Sequence, residues 1–177
     1  MRIKKRNGKL EELNIDNIHR MLEACKRDDL DISVSATAIN AHIKFADGMS
    51  TTDIQKTLIK SAAENITTDT PDYSILAARL LVTEMRKEVY GSFDPLPFLE
   101  YVHLNVEQGL YDSAILEYYS DEEIEILGDL IDYENDLHRP YSSIVQMDSK
   151  YLIKDAKTDR RLEMIQEIFM LIPMVIF

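Results

Sequence analysis

The stretch Met1-Arg2-Ile3-Lys4-Lys5-Arg6-Asn7-Gly8-Lys9-Leu10-Glu11-Glu12-Leu13-Asn14-Ile15-Asp16-Asn17-Ile18 decides how this chain is read. Residues 2–6 and 9–13 flank Asn7-Gly8, a dipeptide suited to a type I′ turn because both central positions need φ > 0. The pattern predicts a β-hairpin. Ile3, Leu10 and Leu13 supply its apolar contacts, and a two-stranded ribbon this short needs a larger body to lie on. Asn14 then offers an N-cap, and Ile15, Ile18, Leu22 and Cys25 recur at helical spacing, which predicts an amphipathic helix covering the hairpin.

Working outward, a second helix is expected to begin after Ser35, to carry Ile39 and Ile43 on one face, and to end at Asp47-Gly48, where glycine tolerates a left-handed cap. Thr52 followed by Gln55 reads as a capping box for a third helix through Ile54, Leu58, Ile59, Ala62 and Ile66. Thr70-Pro71 starts a fourth, since Thr caps and Pro fits the first helical position; Tyr73, Leu76, Ala77, Leu80 and Val89 follow, and Gly91 stops it. The first domain, residues 1–93, is thus a hairpin covering a four-helix bundle. Asp94-Pro95-Leu96-Pro97 breaks the pattern and marks the boundary. Residues 94–177 read as helical: Phe98 to Gln108 ending at Gly109, then Ser120 with Glu123 as a capping box ahead of Ile124, Leu127, Leu130 and Ile131. Tyr151-Leu152-Ile153 and the polar turn Lys157-Thr158-Asp159 suggest a second small hairpin. The fold class is mainly α.

Charge follows the same division. Residues 1–93 carry 14 Lys/Arg and 14 Asp/Glu, residues 94–177 carry 6 and 18, so the net charge of −12 sits in the second half. An acidic chain repels a phosphate backbone at long range, which argues against nucleic acid as a partner; any nucleotide site must be a local basic cluster. Cys25, the single cysteine, can form neither an internal disulfide nor a dithiol pair, and reads as a small buried apolar side chain. The N-terminus lacks the apolar run of a signal peptide, so a cytoplasmic protein is expected. The longest apolar stretch, Ile168 to Phe177, is interrupted by Pro173 and falls short of the ~20 residues a membrane span requires.

Lys4-Lys5-Arg6-Asn7-Gly8, Glu11 and Asn14-Ile15-Asp16-Asn17-Ile18 resemble the signature of the ATP-cone domain, in which a basic hairpin with a glycine turn leads into a short helix. Phe45-Ala46-Asp47-Gly48, Thr51-Thr52-Asp53-Ile54, Pro71-Asp72-Tyr73, Ala77-Ala78-Arg79-Leu80 and Arg86-Lys87-Glu88-Val89-Tyr90-Gly91 resemble residues at corresponding places in class I ribonucleotide reductase large chains. The resemblance continues through Tyr111-Asp112, Tyr118, Glu122-Glu123, Ile131-Asp132 and Lys150-Tyr151-Leu152 with Lys154 and Thr158. Each motif is weak alone; order and spacing carry the resemblance. A zinc-ribbon repressor also bears such a cone, but its ribbon cysteines are missing here, and the segment after an anaerobic reductase cone looks less like this one.

The resemblance implies the N-terminal, overall-activity part of a ribonucleoside-diphosphate reductase large chain. Such a part binds ATP or dATP as an allosteric ligand and so regulates the reduction of ribonucleotides to deoxyribonucleotides for DNA synthesis. It implies two partners: the catalytic barrel forming the remainder of the large chain, and a small radical-generating chain. A triphosphate needs several cationic or N–H donors converging on it, with a few polar groups on base and ribose. By resemblance Lys5, Arg6 and Lys87 would hold the phosphates, Thr51 would assist from a helix start, where N–H groups favour anions, and Glu11, Asn14 and Ile18 would shape the base and sugar pocket. Mg2+ would ride on the phosphates rather than sit in a protein cage. Cys25 matches no catalytic position, so this chain alone is expected to be inactive and to hold no redox cofactor.

Without the resemblance, a Lys-Lys-Arg strand is an ordinary solvated face, Asn14 a plain N-cap and Ile18 core. Lys87 near a helix C-terminus is equally explained by the helix dipole. Two positions depart from the pattern: relatives usually carry Lys where Asn17 stands and often His where Gln55 stands. Charge-assisted hydrogen bonds contribute roughly 1.5–3 kcal/mol each, so the cone is expected to bind nucleotide tenfold or more weakly. The alternative is a degenerate cone serving only as a structural or interaction module. The apolar tail is costly to leave in water. It reads as a truncation before the barrel (an incomplete gene product or half of a split protein) and as a surface through which the chain forms a homo-oligomer.

Overall fold

The computed structural model describes residues 1–176; Phe177, the end of the apolar tail, lies outside the described residues. Two strands and nine α-helices make up the described residues, in the order β1 (Arg2–Lys4), β2 (Leu10–Glu12), α1 (Ile15–Lys26), α2 (Val34–His42), α3 (Thr51–Ala63), α4 (Asp72–Val89), α5 (Phe98–Glu107), α6 (Ile115–Tyr118), α7 (Asp121–Asp129), α8 (Tyr141–Lys150) and α9 (Ile165–Ile176). A 3-10 segment, Tyr133–His138, precedes α8. No helix among the described residues is long and apolar enough to cross a membrane.

The chain divides into two compact units, the first being Met1–Glu84 with Leu137–Gln146, the second residues 85–136 with the segment from Met147 on. The Asp94–Pro97 turn, where charge and pattern change, is therefore a loop inside the second unit. A short piece of the acidic half belongs to the first.

In the first unit the hairpin pairs Arg2 with Glu12, Ile3 with Glu11 and Lys4 with Leu10. Its turn is not type I′. The Gly8 N–H donates to the Lys5 carbonyl (2.9 Å), the Lys5 N–H to the Lys9 carbonyl (2.8 Å), and only Gly8 has positive φ, at 83°. This is a three-residue loop, a turn closed by a left-handed glycine bulge, which asks for φ > 0 once rather than twice. Ile3 alone anchors the ribbon, at 6% exposure, while Leu10 is exposed.

Helix α1 buries Ile18, Leu22 and Cys25, as the spacing predicts. Helix α2 starts earlier than expected, capped by Ser33, whose side chain accepts from the Ala36 N–H. It packs against α1 and α3 through Val34, Thr37, Ala38 and Ala41, with Ile39 and Ile43 turned outward at 61% and 77% exposure. Small side chains let two neighbouring helices approach closely, and that outweighs the transfer gain of burying two isoleucines. Helix α4 supplies Leu76, Ala77, Ala78, Leu80 and Val82, all fully buried, as are Leu22 of α1 and Leu58 and Ala62 of α3.

Arg79 is the largest fully buried side chain of this unit, at 2% exposure. Its Nη1 donates to the carbonyls of Cys25 (3.0 Å) and Lys26 (3.1 Å), its Nε to the carbonyl of Leu137 (2.9 Å), and both Nη atoms to Asp29. Helix ends leave carbonyls without intrahelical partners, and a cation there is favoured by the dipole. Arg79 thus caps the last turn of α1 from within and fixes the 137–146 segment. The guanidinium holds the Asp29 carboxyl well below its ordinary range, at about 2.

The second unit is built around Phe98, Tyr101, Val102, Ile115, Ile124, Leu171 and Met174. Helix α7 carries the expected capping box in full, with Ser120 and Glu123 exchanging both bonds. Gly128 lets α7 close on α5, since a Cβ there would sit 2.8 Å from the Phe98 Cβ. The second hairpin reduces to one antiparallel bridge between Lys154 and Arg161. Asp155 draws the intervening turn inward by accepting from the Lys157 and Thr158 N–H groups, and the pairing stops at the two backbone bonds that flank the bridge, Leu162 N–H to the Ile153 carbonyl and Asp155 N–H to the Arg160 carbonyl. Helix α9 buries Leu171 and Met174 and exposes Phe169, Ile172, Val175 and Ile176.

Candidate functional site

The basic hairpin of the first unit is continued by a third extended segment. The Gly48 N–H donates to the Arg2 carbonyl (2.8 Å), the Lys4 N–H to the Met49 carbonyl (2.9 Å), and Lys4 and Ser50 form a parallel bridge. The next residue on one side is Lys5. On the other it is Thr51, first residue of α3. The backbone thereby sets the positive end of a 13-residue helix beside the Lys5-Arg6 end of the hairpin. Ser50 caps α3, its Oγ accepting from the Asp53 N–H at 3.0 Å and donating to the Asp53 carboxylate at 2.7 Å. Thr52 is therefore not the cap. The usable sequence signal was Ser50 followed three residues on by Asp53.

Across the hairpin Lys5 Nζ and Glu11 Oε1 pair at 2.9 Å, both partly open to solvent, at 44% and 36% exposure. Such an exposed pair contributes little to stability, so either group can exchange its partner for a ligand. Arg6 is exposed and Thr51 half-buried. Asn14 is the N-cap of α1, its Oδ1 accepting from the Asp16 N–H at 2.8 Å. Ile18 is 6% exposed and part of the core. Lys5, Arg6, Glu11 and Thr51 are thus brought together by backbone pairing, whereas Asn14 and Ile18 have structural duties that account for their placement. Among the described residues no group of three or more His, Cys, Asp or Glu side chains is placed to hold a metal ion.

The sequence profile described as "ATP cone domain" matches residues 1–88. Residues 1–88 belong to the ATP-cone family. Over 175 residues, 99% of this chain, the sequence is 37% identical to ribonucleoside-diphosphate reductase 1 subunit alpha of Escherichia coli (strain K12), of which it covers 23%. It is 36% identical over 175 residues to ribonucleoside-diphosphate reductase subunit alpha of Haemophilus influenzae, again covering 23%. For the Enterobacteria phage T4 subunit alpha the identity is 42% over 130 residues, 73% of this chain and 17% of that protein. The chain spans less than a quarter of the length of each of these relatives.

Two positions of the cone carry neutral side chains that are already engaged. Asn17 Oδ1 accepts from Arg20, one turn on along α1. Gln55 is buried at 6% exposure, and its Nε2 donates to the Leu80 carbonyl at 3.0 Å. Lys87 lies in the last turn of α4 within the second unit, its ammonium 3.9 Å from the centre of the Phe93 ring. Arg79, quoted above only as part of a motif, proves to be the cone's interior fastening; an arginine in an otherwise apolar helical stripe was the signal for it.

Proposed function

We propose that this chain is the N-terminal, overall-activity part of a ribonucleoside-diphosphate reductase large chain, working in the cytoplasm and binding ATP or dATP at the cone to regulate deoxyribonucleotide synthesis. The single observation that supports it is the Lys4–Ser50 bridge, which sets the first turn of α3 beside Lys5 and Arg6. Helix N–H groups and flexible cations converging on one spot fit a polyphosphate. Lys5 and Arg6 take the phosphates with Thr51; Glu11, freed from Lys5, turns to the sugar or base with Asn14 and Ile18. Mg2+ travels with the phosphates. Bound nucleotide biases assembly with the catalytic barrel and the radical-generating small chain, which requires different affinities in different assembly states. The exposed face of α9 covers itself against a second copy or the rest of the large chain.

A second reading is favoured by Asn17 and Gln55, both neutral and both engaged within the protein: a cone that keeps its fold but binds nucleotide weakly or not at all. Isothermal titration of the chain with ATP and with dATP separates the two. Micromolar binding that disappears in Lys5→Ala/Arg6→Ala supports a working but weakened site. Sub-micromolar binding refutes the weakening, and no heat with either nucleotide at millimolar concentration leaves only the structural module.

A further inference from the structure

The second unit buries carboxylates where its core should be apolar. Glu167, in the first turn of α9, is completely inaccessible, and Asp136 and Glu163 are 1% and 3% exposed. Glu163 is well supplied, accepting from the Tyr111 hydroxyl (2.9 Å) and the Ile153 N–H (3.0 Å). Asp136 accepts from Gln166 Nε2 at 2.6 Å. Glu167 has the Tyr90 hydroxyl on one oxygen. Tyr133 lies against the same carboxyl, close enough for its hydroxyl to act on it as a hydrogen-bonding neighbour, yet neither that hydroxyl nor Glu167 Oε2 has a partner in good hydrogen-bond geometry among the described residues.

The titratable and charged groups set against Glu167 come from three parts of the unit: Tyr90, just past α4, and, through Tyr133, Arg86 of α4; Tyr101 of α5; and Tyr133 and Asp136 of the 3-10 segment. Glu163 precedes it on its own stretch. Phenols and carboxylates predominate. The only cation among them, Arg86, donates to the Tyr133 carbonyl at 2.8 Å. A charged carboxylate here would be dehydrated, beside a second buried acid and without a bonded cation, the arrangement that costs most in a protein interior.

We infer that a protonated Glu167 clasps the start of α9 to Tyr90, just past α4, and to the 3-10 segment, and that the clasp loosens when Glu167 ionises. A neutral carboxyl can give its own hydrogen to the Tyr133 oxygen while still accepting from Tyr90, so both orphaned atoms acquire partners. Ionisation leaves a buried charge that is relieved when the start of α9 moves out to water. That movement adds Leu171 and Met174, which the packed helix buries, to the apolar residues α9 already exposes, so the clasp couples pH to association through that helix.

Burial, then the neighbouring Asp136, push the carboxyl up to about 7 from an ordinary 4.5. Because the folded form holds the proton more tightly, the stabilisation is fully present below the unfolded value, declines above it and is gone once pH exceeds the folded value. Between about pH 6 and about pH 8.5 the folded-to-unfolded ratio of this unit should fall about tenfold.

The chain has no tryptophan and nine tyrosines, all in the second unit except Tyr73 and Tyr141, so urea unfolding followed by tyrosine fluorescence reports on this unit in the full chain. The wild type should show the tenfold fall and Glu167→Gln should lack it, every other group being common to both chains. An equal fall in both, or none in the wild type, overturns the proposal. Should the variant fail to fold, infrared spectroscopy of the wild type decides: a protonated carboxyl band present at about pH 6 and lost by about pH 8.5 supports the clasp, and its absence at about pH 6 removes it.

Discussion

Replacing Arg79 by methionine removes the guanidinium while keeping most of the apolar stem, and the structure lets the cost be worked out. Three main-chain carbonyls, of Cys25, Lys26 and Leu137, lose donors at once. Each buried acceptor left unsatisfied costs roughly 1–3 kcal/mol. Asp29 also loses its partner, but its side chain is 47% exposed, so water takes over and that loss adds little. Discounting the carbonyl of Lys26, which lies at a half-buried residue, the expected destabilisation is about 3–5 kcal/mol. Urea denaturation followed by far-ultraviolet circular dichroism should show the midpoint of the first unit falling by about 2 M, taking a urea slope of about 1–3 kcal/mol per molar. Arg79→Lys should recover less than half, because an ammonium cannot reach the end of α1, Asp29 and Leu137 together. Asp29→Asn should cost far less than the methionine variant. If Arg79→Met unfolds within about 1 kcal/mol of the wild type, the interior cap is not what holds α1 and the 137–146 segment.

Asn17→Lys should restore a cation at the hairpin end of α1 and raise ATP affinity about tenfold in the same titration, with the gain shrinking as salt is added; unchanged affinity would show that position 17 does not face the ligand. Gly128→Ala forces a methyl to within 2.8 Å of the Phe98 Cβ and should destabilise the second unit by about 1–3 kcal/mol, read by tyrosine fluorescence in urea. A neutral result there would mean that α5 and α7 have slack between them.

The hairpin, the four helices after it and the Ser120/Glu123 cap were legible because each is written in neighbouring residues: a glycine turn, a cap, a repeat of apolar positions. What was not legible depends on residues distant in sequence. Periodicity put Ile39 and Ile43 on one face of the second helix, but the neighbours α1 and α3 admit only its small side chains. The turn at Asn7-Gly8 was read from a dipeptide, whereas the Lys5–Lys9 pairing sets the loop length and so the number of left-handed residues. The return of 137–146 to the first unit is fixed by Arg79, and nothing near Leu137 announces it. For the site, Lys5, Arg6 and Glu11 lie on the hairpin that the glycine turn announces, while the contribution of Gly48 to Ser50 as a third extended segment had no local signature.

That segment has an evolutionary consequence. Because Gly48 binds Arg2 and Lys4 binds Met49 through peptide groups alone, the platform beneath the site is indifferent to which side chains stand upon it. Side chains at 5, 6, 11, 17 and 51 can be exchanged one at a time without loosening the scaffold. Lineages are then free to retune, silence or revive ligand response by single substitutions, each variant remaining foldable and therefore visible to selection.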